Sequence, residues 1–316
     1  MENSANLPKC LLLPIDGSDE SLRPIEFVSR LYPGAHDVNL ILCYFMPPPP
    51  PALSGIYAES AGLVRKRREF LESRAKDTRR IFDRAKNLLL KAGFSEELIH
   101  EHIQQKEMTV ARHACLLADT KKVDAILVQK RISSSLEGFL RGTSPSTLLQ
   151  HCLSSPIWFT EGEVDAGSAA ICIFNEDTSL RIADHAAFML AGTRTDITLL
   201  HASRSVQRPV SCGRSDKPGE LSRWAATPAG REIMPYLTKA ADIVMDYGVE
   251  ESRIQITVIP SKGDAASEIL AWCRETGTAI IGLGHSQPEG IWSFLRTSVT
   301  RKILDEFRNM AVWVTQ

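Results

Sequence analysis

Pro156-Ile157-Trp158-Phe159-Thr160 and Ala311-Val312-Trp313-Val314-Thr315 stand 155 residues apart and read almost alike. Two further pairs share that offset without a gap. Val123-Asp124-Ala125-Ile126-Leu127-Val128-Gln129 matches Thr278-Ala279-Ile280-Ile281-Gly282-Leu283-Gly284, and Phe139-Leu140-Arg141 matches Phe294-Leu295-Arg296. Three matches at one offset mark an internal duplication, in which one supersecondary plan is written twice.

Outward from these matches, both halves follow the same order. The first opens with the apolar run Cys10–Ile15, closed by Asp16-Gly17-Ser18 and followed by a helical pattern at Leu22, Ile25, Phe27, Val28 and Leu31. The second opens with Ala169–Phe174, closed by Asn175-Glu176-Asp177, and its Ser179-Leu180-Arg181 echoes Ser21-Leu22-Arg23. Second strands are expected at Val38–Phe45 and Asp196–Ala202, third strands at Ile99–Gln104 and Ile254–Ile259, and helices at Thr109–Ala118 and Ala266–Glu275. Short β-branched runs alternating with helical patterns imply a parallel sheet with helices on both faces. The division falls at 1–160 and 161–316, with the acidic, aperiodic stretch Glu161–Ser168 as linker. The closing strands, Ile157–Thr160 and Val312–Thr315, would each be an exposed edge if left alone. Pairing them inside one chain removes both edges and brings Trp158 and Trp313 to a pseudo-twofold axis.

The bulk properties fit this plan. A chain of 316 residues is the length of two ordinary domains. With 37 basic and 38 acidic side chains, a net charge of -1 gives no whole-molecule attraction to nucleic acid or to an anionic membrane. The seven cysteines are scattered, without a CxxC pair, and read as thiols of a reducing cytoplasm. No apolar run approaches the roughly 20 residues that span a bilayer, and Met1–Leu7 lacks the apolar core of a signal peptide.

The strand closed by Asp16-Gly17-Ser18, the fourth strand leading to Phe139-Leu140-Arg141-Gly142-Thr143, and Pro156-Ile157-Trp158-Phe159 together resemble the universal stress protein family, in its tandem-domain form. The resemblance covers nearly the whole chain, once per half. It implies two tandem Rossmann-like domains, each a five-stranded parallel sheet with helices on both faces, that pair through their last strands. Many members of that family bind ATP, and others have lost the site. The binding members carry an Asp at the end of the first strand. They also carry Gly-x-x-Gly, nine residues, then Gly-Ser or Gly-Thr after the fourth. Glycines let backbone N–H groups reach phosphate oxygens, and the pair that follows opens a helix whose free N–H groups favour an anion.

Carried over position by position, the motif is incomplete in both halves. The first keeps Pro14, Ile15, Asp16 and Gly142-Thr143-Ser144, with Tyr44 on the second strand, but has Gln129 and Ile132 in place of the loop glycines. The second keeps Gly284 and Ser298, with His285 and Ser286 as phosphate donors. It replaces the second glycine by Gln287, the third by Thr297 and the Asp by Asn175. The resemblance therefore implies a stress-associated regulator acting by binding, with ATP or AMP, and Mg²⁺ alongside it, at a degenerate site. The first half then suits the nucleoside and the second the phosphates. Two alternatives stand beside it: a nucleotide-independent adaptor for a transporter or kinase, and a slow ATP hydrolase with Asp16 holding the metal. An unknown protein partner, a homodimer of pseudo-dimeric chains, no nucleic acid, no membrane span and a cytoplasmic location complete the expectations.

Several features lie outside the motif. The five-proline run Pro47–Pro51 and the stretch Arg204–Thr227 follow second strands at the carboxyl edge, where open α/β sheets bind ligands. They read equally as lids or as surface insertions. Segment Arg65–Lys91 holds eleven Lys/Arg against four Asp/Glu. Phe70, Leu71, Ile81, Phe82, Leu88 and Leu89 recur at helical spacing, which predicts one buried face opposite a basic stripe. That stripe suits an acidic partner, nucleic acid or anionic headgroups, and equally a solvated helix face. His100 and His102 share one face of a strand and could chelate a metal, but no third ligand accompanies them.

Overall fold

The computed structural model describes residues 7–34, 36–54, 61–130, 145–152, 154–213, 219–285 and 299–316. Eleven strands form one sheet. The first half supplies β1 (Lys9–Pro14), β2 (Val38–Met46), β3 (Ile99–Gln105), β4 (Ala125–Gln129) and β5 (Ile157–Glu161). The second supplies β6 (Ser168–Cys172), β7 (Asp196–Ser203), β8 (Val210–Gly213), β9 (Ile254–Pro260), β10 (Ile280–Gly284) and β11 (Met310–Thr315). Their order is β3-β2-β1-β4-β5-β11-β10-β6-β7-β9-β8. Neighbours run parallel among β1–β5 and among β6, β7, β9, β10 and β11, β8 adds an antiparallel outer strand, and the two halves meet at the antiparallel pair β5–β11, with Trp158 directly opposite Trp313. The expected edge pairing is thus made inside the chain, with no unpaired border left at its centre.

Helices cover both faces. On one lie α1 (Asp19–Leu31), α3 (Ala61–Lys91), α6 (Asp177–Leu190), α7 (Glu220–Ala225) and α8 (Pro228–Asp246), over the core that holds Leu11, Leu13, Leu40, Ile171 and both tryptophans. On the other lie α4 (Val110–Lys121), α5 (Pro145–His151), α9 (Ala265–Thr276) and α10 (Val299–Glu306), over Leu12, Ile41, Cys43, Ile281 and Val312. Alternate residues of one strand feed opposite cores, so the inner strands read as continuous apolar runs. The short α2 (Pro51–Ser54) ends the proline run.

The halves are also tied by polar contacts. Lys130 Nζ donates to the carbonyls of Asp305 (2.7 Å) and Phe307 (3.3 Å) at the end of α10. Gln316 Nε2 donates in turn to Leu149 (2.8 Å) and Cys152 (2.7 Å) at the end of α5. Each half therefore satisfies carbonyl groups that a helix of the other leaves open. Burial pushes the Lys130 ammonium down to about 8, with neighbouring Arg308 adding to the effect.

Three sequence expectations need correction. Leu71 is 51% exposed and Phe70 half-buried, so the buried face of α3 begins further along, at Thr78. Arg204–Thr227 is not wholly irregular, because β8 within it pairs antiparallel with β9. A four-residue strand is too short to show a period of two. Cys115 and Cys152 are not free thiols: α4 and the end of α5 pack on the same face and bring them together as a disulfide, 37 residues apart in sequence.

Candidate functional site

In each half the strand order reverses beside the first strand, at β1/β4 and at β6/β10. In open α/β sheets the crevice outside the carboxyl ends at such a reversal is where ligands bind. Asp16, Gly284 and His285 stand at these two reversals.

At the first, β1 ends in Pro14 and Ile15, both buried, and the chain turns at Gly17 with φ 84°. Asp16 Oδ1 accepts from Ser18 N (3.0 Å) and Ser18 Oγ (2.5 Å), while Ser18 Oγ caps α1 by accepting from Ser21 N (3.2 Å). The carboxylate thus sits just ahead of the N-cap of α1, at the end of a helix where negative charge is favoured. The turn is roofed by α3. A Cβ on Gly17 would press on Ile81, Arg84 reaches the Gly17 carbonyl (3.4 Å), and Arg84 pairs with Asp19. Tyr44, on β2, is buried at its ring and hydrogen-bonded to Arg74, and burial raises its hydroxyl above the usual phenol range. Arg74 in turn lies over the Phe70 ring, 5.0 Å from its centroid. Gln129, at the first motif glycine, accepts from Thr160 Oγ1 (2.9 Å).

The second reversal is built differently. Asn175, in place of the Asp, donates to Glu232 Oε1 (2.5 Å). Gly284 lies against the first turn of α6, where an added Cβ would overlap the Thr178 carbonyl. This glycine answers a packing need within the half. His285 continues the ladder, its N–H donating to Thr315 O (2.7 Å), and burial lowers its imidazole below the ordinary range. Thr315, opposite Gly284 in register, has a buried hydroxyl with no hydrogen-bond partner among the described residues. Its counterpart Thr160 has Gln129, and a glycine has no side chain to offer.

The sequence echo Ser21/Ser179 now has a cause. Ser21 Oγ accepts from Asp16 N (3.3 Å) and Ser179 Oγ from Phe174 N (2.8 Å), each closing the turn after a first strand. Arg74 and Arg84 are the polar neighbours of the first crevice that the motif did not name. Their signal was only that basic residues of Arg65–Lys91 recur where the helix crosses the strand ends. Gly142, Thr143, Ser144, Ser286, Gln287, Thr297 and Ser298 lie outside the described residues. The structure brings together Pro14, Ile15, Asp16 and Tyr44 in one place and Gly284 and His285 in another.

Other histidines serve the fold. His113 Nε2 accepts from the N–H groups of Glu107 (3.0 Å) and Met108 (3.2 Å), and His201 Nδ1 contacts Ile173 O (2.8 Å). His102 Nε2 faces Gln104 Oε1 at 3.5 Å on the exposed β3. Among the described residues no group of three or more His, Cys, Asp or Glu could hold a metal.

The fold is that of a tandem α/β protein whose two halves share one sheet. Residues 9–155 match the universal stress protein family, so the first half of the chain is a domain of that family. Over nearly its full length the chain is similar in fold to a universal stress protein from Archaeoglobus fulgidus DSM 4304. That match has a TM-score of 0.58 and 12% identity, and covers 99% of this chain and 98% of that one. It is likewise similar to a universal stress protein-like chain from Pseudomonas aeruginosa UCBPP-PA14, with TM-score 0.52, 14% identity and coverage of 99% and 95%. A family protein from Arabidopsis thaliana with AMP bound covers 48% of this chain and 90% of its own, at 15% identity and TM-score 0.34. No curated protein sequence matches significantly.

Proposed function

We propose that this protein is a stress-associated regulator that acts by binding, taking an adenine nucleotide, ATP or AMP, at the first crevice. The same reading divides the chain into two universal stress protein-like domains at 1–160 and 161–316. One observation carries it: Asp16 ends β1 at the strand-order reversal, with its carboxylate held at a helix start beside Tyr44 and Arg74. A carboxylate so placed suits a ribose hydroxyl, as acidic residues do in related sheets. Beside it, Arg74 offers a guanidinium to a phosphate. Mg²⁺ would enter with the phosphates, and Asp16 is the carboxylate that would face it. At the second crevice the first turn of α6 seats on Gly284.

Thermal unfolding with ATP, AMP and Mg²⁺ tests this. Binding to the native state alone adds about 2.7 kcal/mol at a hundredfold excess over Kd, so the melting temperature should rise. Asp16→Asn keeps the oxygen that accepts from Ser18 and removes the charge, and should lose the ATP response. Asn175→Ala should retain it. An absence of shift at millimolar nucleotide, or an unchanged response in Asp16→Asn, contradicts the proposal.

A further inference from the structure

α3 and α8 are the same element of the two halves and end 155 residues apart, at Lys91 and Asp246. Yet α3 runs 31 residues and α8 only 19. The surplus, 61–72, is a projection of roughly 18 Å at 1.5 Å per residue. It contains Arg65-Lys66-Arg67-Arg68 and the apolar Leu63, Val64, Phe70 and Leu71. At helical spacing these four share the face that Phe82, Ala85 and Leu89 turn into the core further along. Toward the N-terminus of α3 the stripe is only partly covered: Phe70 is half-buried, and Val64 is 50% and Leu71 51% exposed. The second half shows that the fold closes without this extension.

An amphipathic helix with its apolar stripe in water is incomplete, and its charge narrows what completes it. From Arg65 to Arg80 there are eight Lys/Arg and three Asp/Glu. A second copy would set one basic quartet against another, which like-charge repulsion opposes. An anionic lipid surface satisfies both parts of the helix. Headgroup phosphates meet the cations, whose stems let them reach outward from a partly inserted stripe.

We propose that the projecting arm of α3 docks the protein on an anionic membrane surface. The contact is peripheral, since among the described residues no helix is long and apolar enough to cross a membrane. It is independent of the nucleotide reading, which involves Asp16, Tyr44 and Arg74.

Flotation with phosphatidylglycerol–phosphatidylcholine vesicles, against pure phosphatidylcholine vesicles, tests the proposal in the full chain. The protein should float with the anionic vesicles at low salt and be released at high salt, as screening demands. A variant with Arg65, Lys66, Arg67 and Arg68 all changed to Gln should bind about tenfold less or weaker still. Val64→Ser with Leu71→Ser should also lose binding. None of these side chains is buried, so melting temperatures should match the wild type and report intact folding. No preference for anionic vesicles, or undiminished binding by either variant, would overturn the proposal.

Discussion

The indole rings of Trp158 and Trp313 lie stacked at the centre of the molecule, with centroids 3.7 Å apart and planes 3° from parallel. They are partners in the β5–β11 register and fully buried, so the pseudo-twofold passes between them. The symmetry stops at their N–H groups. Trp158 Nε1 donates to His185 Nε2 (2.9 Å), whereas Trp313 Nε1 has no hydrogen-bond partner among the described residues. His185 on α6 corresponds to Phe27 on α1, by the Ser21/Ser179 alignment, and a phenyl ring cannot accept as an imidazole nitrogen does.

Replacing His185 by Phe would make the halves alike and leave both indole N–H groups unpaired. A buried unsatisfied donor costs about 1–3 kcal/mol. Urea unfolding should show a lower midpoint with an unchanged slope. An unchanged midpoint would mean that the Trp158–His185 bond contributes nothing.

Acid should destabilise the protein earlier than carboxylate titration alone. Desolvation lowers His185 to about 3 and also lowers His113 and His201. Below about pH 6.5 the unfolded chain binds these protons and the native state does not, so stability falls as pH falls. Between the unfolded value and about 3, His185 adds a slope of up to about 1.4 kcal/mol per pH unit. His185→Gln keeps an acceptor for Trp158 and cannot titrate, so its stability should fall less steeply between about pH 6 and pH 4. Parallel curves for the two proteins would refute the assignment.

Gly284→Ala should destabilise the fold, because the added methyl meets backbone at Thr178. Overpacking of this kind costs about 1–3 kcal/mol. Gly192→Ala is a useful contrast: its φ of 77° is unfavourable, but nothing lies near its Cβ position. The decisive reading is the melting temperature in the absence of ligand. If Gly284→Ala melts like the wild type, the first turn of α6 does not seat on β10.

The Cys115–Cys152 bond closes a loop between α4 and the end of α5. On the chain-entropy account a loop of that size contributes about 4 kcal/mol. Non-reducing peptide mapping should recover the two cysteines in one linked fragment, and reductant should lower the melting temperature. Free thiols at both positions in protein purified with alkylation would contradict it.

The sheet was legible because its signals are local and repeated. Matches at one offset located β4 with β10 and β5 with β11, and they put Trp158 and Trp313 at equivalent places. What escaped depends on contacts distant in sequence. Nothing near Cys115 announces Cys152, and Val210–Gly213 becomes a strand only because β9 offers an edge. Leu71 has the spacing of a core residue, but periodicity cannot say where the core ends. At the candidate site, Asp16 was readable from its place after a strand. The partnership of Tyr44 with Arg74 was not, because it joins two elements that only the fold brings together.

Hydrogen exchange across the whole chain tests the shared sheet most directly. Amides of Ile157–Glu161 and Met310–Thr315 lie in the two central strands, while Ile99–Gln105 forms an outer one. Central strands exchange only through large-scale unfolding, and edges open locally. Peptides covering β5 and β11 should therefore be among the last to take up deuterium, and those covering β3 among the first. Rapid uptake in β5 and β11, matching that of β3, would mean that the two halves do not join there.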